Sequence, residues 1–170
     1  MSHPEGLEAG LTDQAGYDPP GLAIPYGLAV CEVEIDPAAG TVTLQRLVFG
    51  HDCGTQINPR IVEGQILGGA MQSVGTTLSE EIVYGANAQP LTWSLHDYGL
   101  PFASDLGDFD VTHTETPSPF SLNGAKGVGE SGTIPIPAAI ANAVHDALGG
   151  HCGPCEPPLT PERVFRYLHG

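Results

Sequence analysis

The stretch IVEGQILGGAMQSVGTTLSEEIV, residues 61–83, indicates the fold class of this chain. Apolar or small residues recur in it at the three- and four-residue spacing of a helix that buries one face. The pattern is interrupted by Gly64, Gly68, Gly69 and Gly75. Each of these costs a helix roughly 1 kcal/mol relative to alanine. We therefore predict a long helix whose glycines allow close approach to another backbone or to a ligand.

Short β elements surround this helix. Residues 29–36 alternate in polarity and residues 41–49 are β-branched and apolar, so the turn chemistry of residues 37–40 between them predicts a hairpin. Residues 91–98 and 109–116 are predicted to form further strands. Trp93 and Tyr98 are expected in the core. Because the pattern shows no βαβ alternation, the fold class is α+β. We expect a mixed sheet, one long Gly-rich helix and two shorter C-terminal helices.

The two C-terminal helices have clear start and stop signals. The first begins at Pro135 or Pro137 and ends at residues 149–150, which are both glycine. Thr160 and Pro161 suit the N-cap and first position of the second. At the other end, residues 1–27 are rich in proline and glycine without periodicity. We predict an extended arm over residues 1–27 and one domain over residues 28–170.

The charge balance excludes several classes of partner. The chain has 20 acidic and 5 basic residues and a formal net charge of −15. Nucleic acids and anionic membranes need clustered Lys and Arg, which are missing.

No apolar run approaches the roughly 20 residues of a membrane span. The N-terminus lacks the features of a secretory signal. Four cysteines do not make a disulfide scaffold. We expect a cytoplasmic protein with no nucleic-acid or membrane partner.

The glycine-rich stretch NGAKGVGESG, residues 123–132, is the first candidate site. A glycine-rich loop before a helix offers free N–H donors for an anionic ligand, and Lys126 adds a positive charge. Glu130 stands among small residues and can act as a general base toward a bound substrate. The alternative is a glycine turn with a solvated glutamate. Gln65, among the helix glycines, is the second candidate for ligand contact, against the alternative of a helix packing face.

Cysteine and histidine offer weaker signals. Cys152 and Cys155 have the C-x-x-C spacing of a dithiol or of half a zinc site, but no second pair lies nearby. A linker with incidental cysteines is the alternative. The histidines at 51, 96, 113 and 145 are scattered without metal-ligand spacing. We therefore predict no metal site formed by this chain.

Several short motifs, taken in order, resemble the large-subunit signature of the molybdenum hydroxylases, the family of xanthine dehydrogenase and aerobic carbon monoxide dehydrogenase. They are DCG at 52–54, INP at 57–59, VEGQI with GG at 62–69, Gln72, SEE at 79–81, DY with LP at 97–101, TETPSP at 114–119, GAKGVGE at 124–130, PA with NA and DA at 137–147, and LTPERV at 159–164. The resemblance covers residues 17–168 and implies the C-terminal part of a larger molybdopterin-binding domain.

The resemblance also implies roles for particular residues. Glu130 corresponds to the catalytic base beside molybdenum, and Gln65 to the amide that bonds the pterin dithiolene region. Asn58 and the backbone of Lys126, Gly127, Val128 and Gly129 correspond to other pterin and nucleotide contacts. The implied cofactor is Mo-molybdopterin cytosine dinucleotide. The implied partners are the N-terminal half of the molybdenum subunit, an iron–sulfur subunit with 2Fe–2S clusters and an FAD subunit.

Two departures from the family pattern leave alternatives open. The chain is far shorter than a large subunit and lacks the segment that selects substrate, so the substrate stays undefined. The sequence HCGPC at 151–155 is not expected of the family. The alternatives are a non-catalytic remnant of the subunit that binds partners, and a thiol-redox module at Cys152 and Cys155.

Overall fold

The computed structural model describes residues 10–150 and 155–170. Its sheet has three strands, β1 (Tyr26–Asp36), β2 (Thr41–Asp52) and β3 (Asp108–His113). The helices are α1 (Pro59–Leu78), α2 (Leu95–Tyr98), α3 (Ile136–Ala147) and α4 (Pro161–His169). Short 3₁₀ turns lie at Ala103–Leu106 and Ser131–Thr133. From Gly10 to Pro25 the described chain has no strand or helix.

The sheet is mixed, with β2 in the centre. β1 and β2 form the predicted antiparallel hairpin, and β2 pairs with β3 in parallel from Arg46↔Asp108 to His51↔His113. A parallel neighbour requires a long crossover. Here the crossover contains α1, a connection that the sequence pattern did not predict. The α+β class, the hairpin, the long helix and both C-terminal helices are confirmed. The long helix, predicted over residues 61–83, ends earlier, at Leu78.

The hydrophobic core lies between one face of the sheet and the helices α1 and α3. Alternate residues of β2, Leu47 and Phe49, are fully buried against the side chains of Ile66 and Ile140. A smaller cluster packs α3 against α4 around Val144 and Val164. Because side chains alternate across a strand, the opposite face of the sheet, here called the outer face, carries the other half of the residues.

The strand predicted at residues 91–98 is wrong. Ser94 caps a helical turn instead: Ser94 Oγ accepts from the Asp97 N–H at 3.2 Å, and Asp97 Oδ2 accepts from the Ser94 N–H at 3.0 Å. This reciprocal capping satisfies the donors that a strand would present to a neighbour. Trp93 is 77% exposed, so its predicted place in the core is also wrong. The strand predicted over residues 109–116 is shorter and ends at His113.

Among the described residues, no helix has both the length and the apolar character needed to cross a membrane.

Candidate functional site

A buried carboxylate at the end of β2 organises the loops around it. Asp52 is 4% exposed. Its Oδ1 accepts the N–H of Gly54 at 2.9 Å and the N–H of Thr116 at 3.1 Å. Its Oδ2 accepts the hydroxyl of Thr114 at 3.3 Å. One side chain thereby connects the end of β2 with the segment that follows β3.

Lys126 completes this arrangement. Its Nζ lies 3.1 Å from Asp52 Oδ1, and the side chains of Lys126 and Asp52 are 5% and 6% exposed. The ammonium also lies 4.5 Å from the centre of the Tyr26 ring, and the Lys126 N–H donates to Cys53 O at 2.7 Å. The positive charge of Lys126, which was expected to attract an anionic ligand, is therefore paired with Asp52 inside the protein. The Lys126 side chain holds the loop in place.

The surroundings of Asp52 favour its charged form. Burial alone would raise the pKa of the Asp52 carboxyl, because desolvation penalises a charge. The hydrogen bonds from Thr116, from the Gly54 backbone and from Lys126 outweigh that penalty and hold the pKa of Asp52 well below its ordinary range. The carboxylate is thus charged in the folded protein at neutral pH.

The backbone after Lys126 forms an open row of donors. In the part of the chain that the structure describes, the N–H groups of residues 127–130 have no hydrogen-bond partner. A Cβ added at Gly127 or Gly129 would meet nothing within 4 Å, and neither residue has a positive φ. Neither packing within the chain nor backbone conformation requires glycine there. The loop offers unpaired donors and unobstructed access, as a ligand pressed against the backbone would need.

Glu130 stands at the end of this row. Its carbonyl accepts the N–H and the hydroxyl of Thr133, at 2.9 and 2.8 Å, which fixes its backbone at the start of the 3₁₀ turn. The residue is exposed, and its carboxylate makes no hydrogen bond or ion pair with any described residue. A carboxylate on a fixed backbone, without a partner among the described residues, is available to an external group.

The 3₁₀ turn after Glu130 is fixed to α1. Gly132 packs directly on Gly69: a Cβ at Gly69 would lie 3.0 Å from Gly132 Cα. Ser73 Oγ donates to Gly132 O at 2.8 Å. Gly75 is likewise required, since a Cβ there would meet the Glu80 carboxylate and Pro101. The prediction that helix glycines permit close backbone approach is confirmed for Gly69, whereas Gly75 makes room for side chains.

The other two helix glycines face outward. Gly64 and Gly68 are exposed, and an added Cβ would find no described atom within 4 Å. Helix periodicity places Gly68 on the same face as Gln65 and Gln72, both exposed. Gln65 is one turn from Gly69 and therefore lies on the side of α1 that carries the Glu130 loop. This outward stripe of α1, comprising Gly64, Gln65, Gly68 and Gln72, is here called the glycine face.

Asn58 has a structural task in addition to any binding role. It is the N-cap of α1, where its Oδ1 accepts the Ile61 N–H at 3.3 Å. Its side-chain NH₂ group has no partner among the described residues and remains available as a donor.

Large apolar side chains are exposed around this region. On the outer face of the sheet, Leu28 is 69% and Val30 is 60% exposed. Near the glycine face, Ile61 is 60% exposed, and Leu122 in the loop before Glu130 is 100% exposed. Several large apolar side chains this exposed are typical of a surface that a partner covers.

Two of the scattered histidines meet in space with a cysteine. His51 and His113 are partners in the parallel ladder, and Cys53 follows two residues after His51, so all three side chains lie on one face of the sheet. Their ligand atoms lie within 4.8 Å of one another. Sequence spacing could not reveal this cluster, because 62 positions separate the ladder partners. Burial, with His113 nearby, lowers the pKa of His51 and favours neutral imidazole.

Cys152 lies outside the described residues, so the C-x-x-C prediction is not addressed by the structure. Cys155, which is described, is half-buried and packs beside the Val144–Val164 cluster.

Comparison with known proteins shows which family this chain resembles in sequence. The family model for the molybdopterin cofactor-binding domain matches residues 3–107. The nicotine 6-hydroxylase large subunit of Paenarthrobacter nicotinovorans is 40% identical over 168 residues, which is 98% of this chain and 21% of that protein. The carbon monoxide dehydrogenase large chain of Hydrogenophaga pseudoflava is 41% identical over 97% of this chain and 21% of its own length.

A solved structure of a related enzyme has the same fold over nearly the whole of this chain. Quinoline 2-oxidoreductase from Pseudomonas putida 86 superposes with a TM-score of 0.88 at 44% identity, over 98% of this chain and 21% of that chain. This chain belongs to the molybdopterin cofactor-binding domain family. It corresponds to one segment of the large subunits of molybdenum hydroxylases and spans about a fifth of the length of these relatives.

The residues of this molybdopterin-binding segment fit such a cofactor. The cofactor is large and anionic, and the loop at 127–130 presents four consecutive unpaired N–H donors. The glycine face presents amide side chains with no side chain between them to obstruct a ligand.

Proposed function

We propose that this chain supplies one wall of the catalytic centre of a molybdenum hydroxylase, with Glu130 as the base. The cofactor, when bound, would supply the oxidation chemistry that hydroxylates a small substrate. The observation that carries the proposal is the state of Glu130: its backbone is fixed, its carboxylate is exposed, and no described residue bonds to it.

The proposed roles of the protein groups rest on the family resemblance and on which of these groups are free to bind. The Glu130 carboxylate would accept a proton from the reacting group, and a positioned base contributes about 10²–10⁴-fold to a rate. The free N–H groups at 127–129 would bind anionic parts of the cofactor. The Gln65 amide on the glycine face would hydrogen-bond the pterin. Asn58 would donate through the NH₂ group that its capping role leaves free.

Partners are required by this proposal, because the chain spans only a fifth of its relatives. The exposed apolar residues of the outer face and around Leu122 are the surface that the rest of the molybdenum subunit would cover. We further propose the cytosine dinucleotide form of the cofactor, 2Fe–2S and FAD on separate subunits, and a cytoplasmic location. One relative is named as subunit gamma of a dehydrogenase complex, which is consistent with a multi-subunit assembly.

The test uses the chain isolated with its partner polypeptides. Glu130→Gln keeps the shape of the side chain and removes the base, so kcat should fall about 10²–10⁴-fold while molybdenum per chain stays unchanged. Glu156→Gln, at an exposed site where the described backbone carbonyl accepts from Arg163 of α4, is the matched control and should retain full activity. Full activity in Glu130→Gln would refute the assignment of the base.

Gln65→Ala separates cofactor binding from proton transfer. We expect it to lower the molybdenum content, measured by mass spectrometry, because it removes a contact to the cofactor and leaves Glu130 in place. Glu63→Ala, exposed on the opposite side of α1, should retain the metal. A Gln65→Ala enzyme with normal molybdenum would remove Gln65 from the proposed contacts.

A further inference from the structure

We propose that His51, Cys53 and His113 form a binding site for a zinc ion, with side chains that the proposed cofactor contacts do not use. The three ligand atoms lie within 4.8 Å of one another. The three residues lie at the ends of β2 and β3, on the same face of the sheet as Phe49. Imidazole nitrogen and thiolate sulfur are the ligands that zinc prefers in proteins.

The buried imidazole of His51 is the observation that points to a ligand. His51 is 3% exposed, and neither its Nδ1 nor its Nε2 has a hydrogen-bond partner among the described residues. Leaving a buried donor or acceptor unpaired costs about 1–3 kcal/mol. A metal ion bound by one ring nitrogen would remove part of that cost. Sheet packing alone would be satisfied by an apolar residue at this position, as at Phe49 two residues earlier.

The pairing of β2 with β3 holds two of the three proposed ligands side by side. His51 and His113 are direct partners in the parallel ladder, and their ring centres are 6.2 Å apart. The Thr114 N–H donates to His51 O at 2.9 Å, which fixes the two strand ends together. In a tetrahedral zinc site with bonds of about 2.0–2.3 Å, ligand atoms lie about 3.3–3.8 Å apart. The observed spacing, within 4.8 Å, is therefore wider than that of a metal-bound set, and binding would draw the three ligand atoms together.

Binding has a defined proton balance. The thiol of Cys53 loses its proton to solvent, the imidazoles bind as neutral ligands, and the ion adds two positive charges against one thiolate. Three protein ligands leave a fourth position for water. The neighbouring Asp52 is not part of the set, because its oxygens already accept hydrogen bonds from Gly54, Thr114, Thr116 and Lys126.

The experiment uses the full chain with its copurified partners, in a Cys152→Ser/Cys155→Ser background that removes the other thiol pair. After dialysis against Zn²⁺, metal content is measured by mass spectrometry, and ligand type by X-ray absorption at the zinc edge. We expect about one zinc per chain with one sulfur ligand. Cys53→Ser and His113→Gln should each abolish this zinc. His96→Gln, an exposed histidine elsewhere, should retain it.

His113→Gln keeps the inference testable if Cys53→Ser, within the core, does not fold, because position 113 is the last residue of β3. Absence of zinc in the parent protein, or zinc with sulfur ligation that persists in either folded variant, would overturn the proposal. Molybdenum is measured in the same samples. Its content tests the proposed molybdopterin site, whereas the zinc content tests the proposed zinc site.

Discussion

Lys126 Nζ and Asp52 Oδ1 lie 3.1 Å apart although 74 positions separate the two residues in the chain, and both side chains are almost completely buried. This ion pair joins the end of β2 to the loop that carries Glu130. The lysine side chain whose charge was expected to attract an anionic ligand is therefore a structural group. Its place explains how a loop with three glycines holds one conformation.

Lys126→Gln should destabilise the protein strongly. It leaves the Asp52 charge buried without its cation, and removing one partner of a buried pair costs about 3–5 kcal/mol. Urea unfolding followed by circular dichroism measures the change in the free energy of unfolding. Arg46→Gln is the control, because it breaks an ion pair with Asp110 whose side chains are 58% and 53% exposed, and solvent already screens that pair. Equal effects of the two substitutions would contradict the structural role of Lys126.

The stability of the protein should fall in acid partly through Asp52. Its pKa is lower in the folded than in the unfolded protein, so the unfolded state binds the proton first and the contribution is complete above about pH 4. As the pH falls below that value, this contribution is lost. Asp52→Asn should flatten the pH dependence of the free energy of unfolding between about pH 4 and pH 2. An unchanged slope in that window would show that Asp52 does not titrate as described.

Gly132→Ala should displace the Glu130 loop. An added Cβ would lie 2.7 Å from Ile66 O and 2.9 Å from Ala70 N, both backbone atoms of α1 that cannot move without disrupting the helix. Such overpacking costs about 1–3 kcal/mol. We expect a lower midpoint in urea and reduced activity of the assembled enzyme. Gly127→Ala, where the space is open, is the matched control for stability and should unfold at the parent midpoint.

Gly64→Ala and Gly68→Ala should separate stability from function. Both positions are exposed within a helix, so alanine should raise the free energy of unfolding by roughly 1 kcal/mol each. In the assembled enzyme the added methyl groups would obstruct the glycine face, and the molybdenum content should fall. Urea unfolding and metal analysis on the same preparations give both values. Stabilised variants that keep full molybdenum would show that the glycine face does not contact the cofactor.

The sequence by itself determined the local elements and the family. Periodicity indicated α1, and the turn chemistry of residues 37–40 indicated the hairpin. Prolines marked the starts of α3 and α4. Each of these signals lies within a few neighbouring residues. The ordered motifs from residue 52 to residue 164 indicated the molybdopterin-binding family, since each motif is a short contiguous run of residues. The error at residues 91–98 came from apolar composition, which the local capping of Ser94 by Asp97 overrode.

Only the tertiary structure decided which residues meet across the chain. The burial of Lys126 against Asp52, the contact of Gly69 with Gly132, and the cluster of His51, Cys53 and His113 each join segments at least 59 positions apart. Such meetings depend on the parallel pairing of β2 with β3 and on the packing of α1, which no local pattern encodes. The same glycine type therefore has two uses in α1: Gly69 and Gly75 admit internal neighbours, whereas Gly64 and Gly68 leave the surface open.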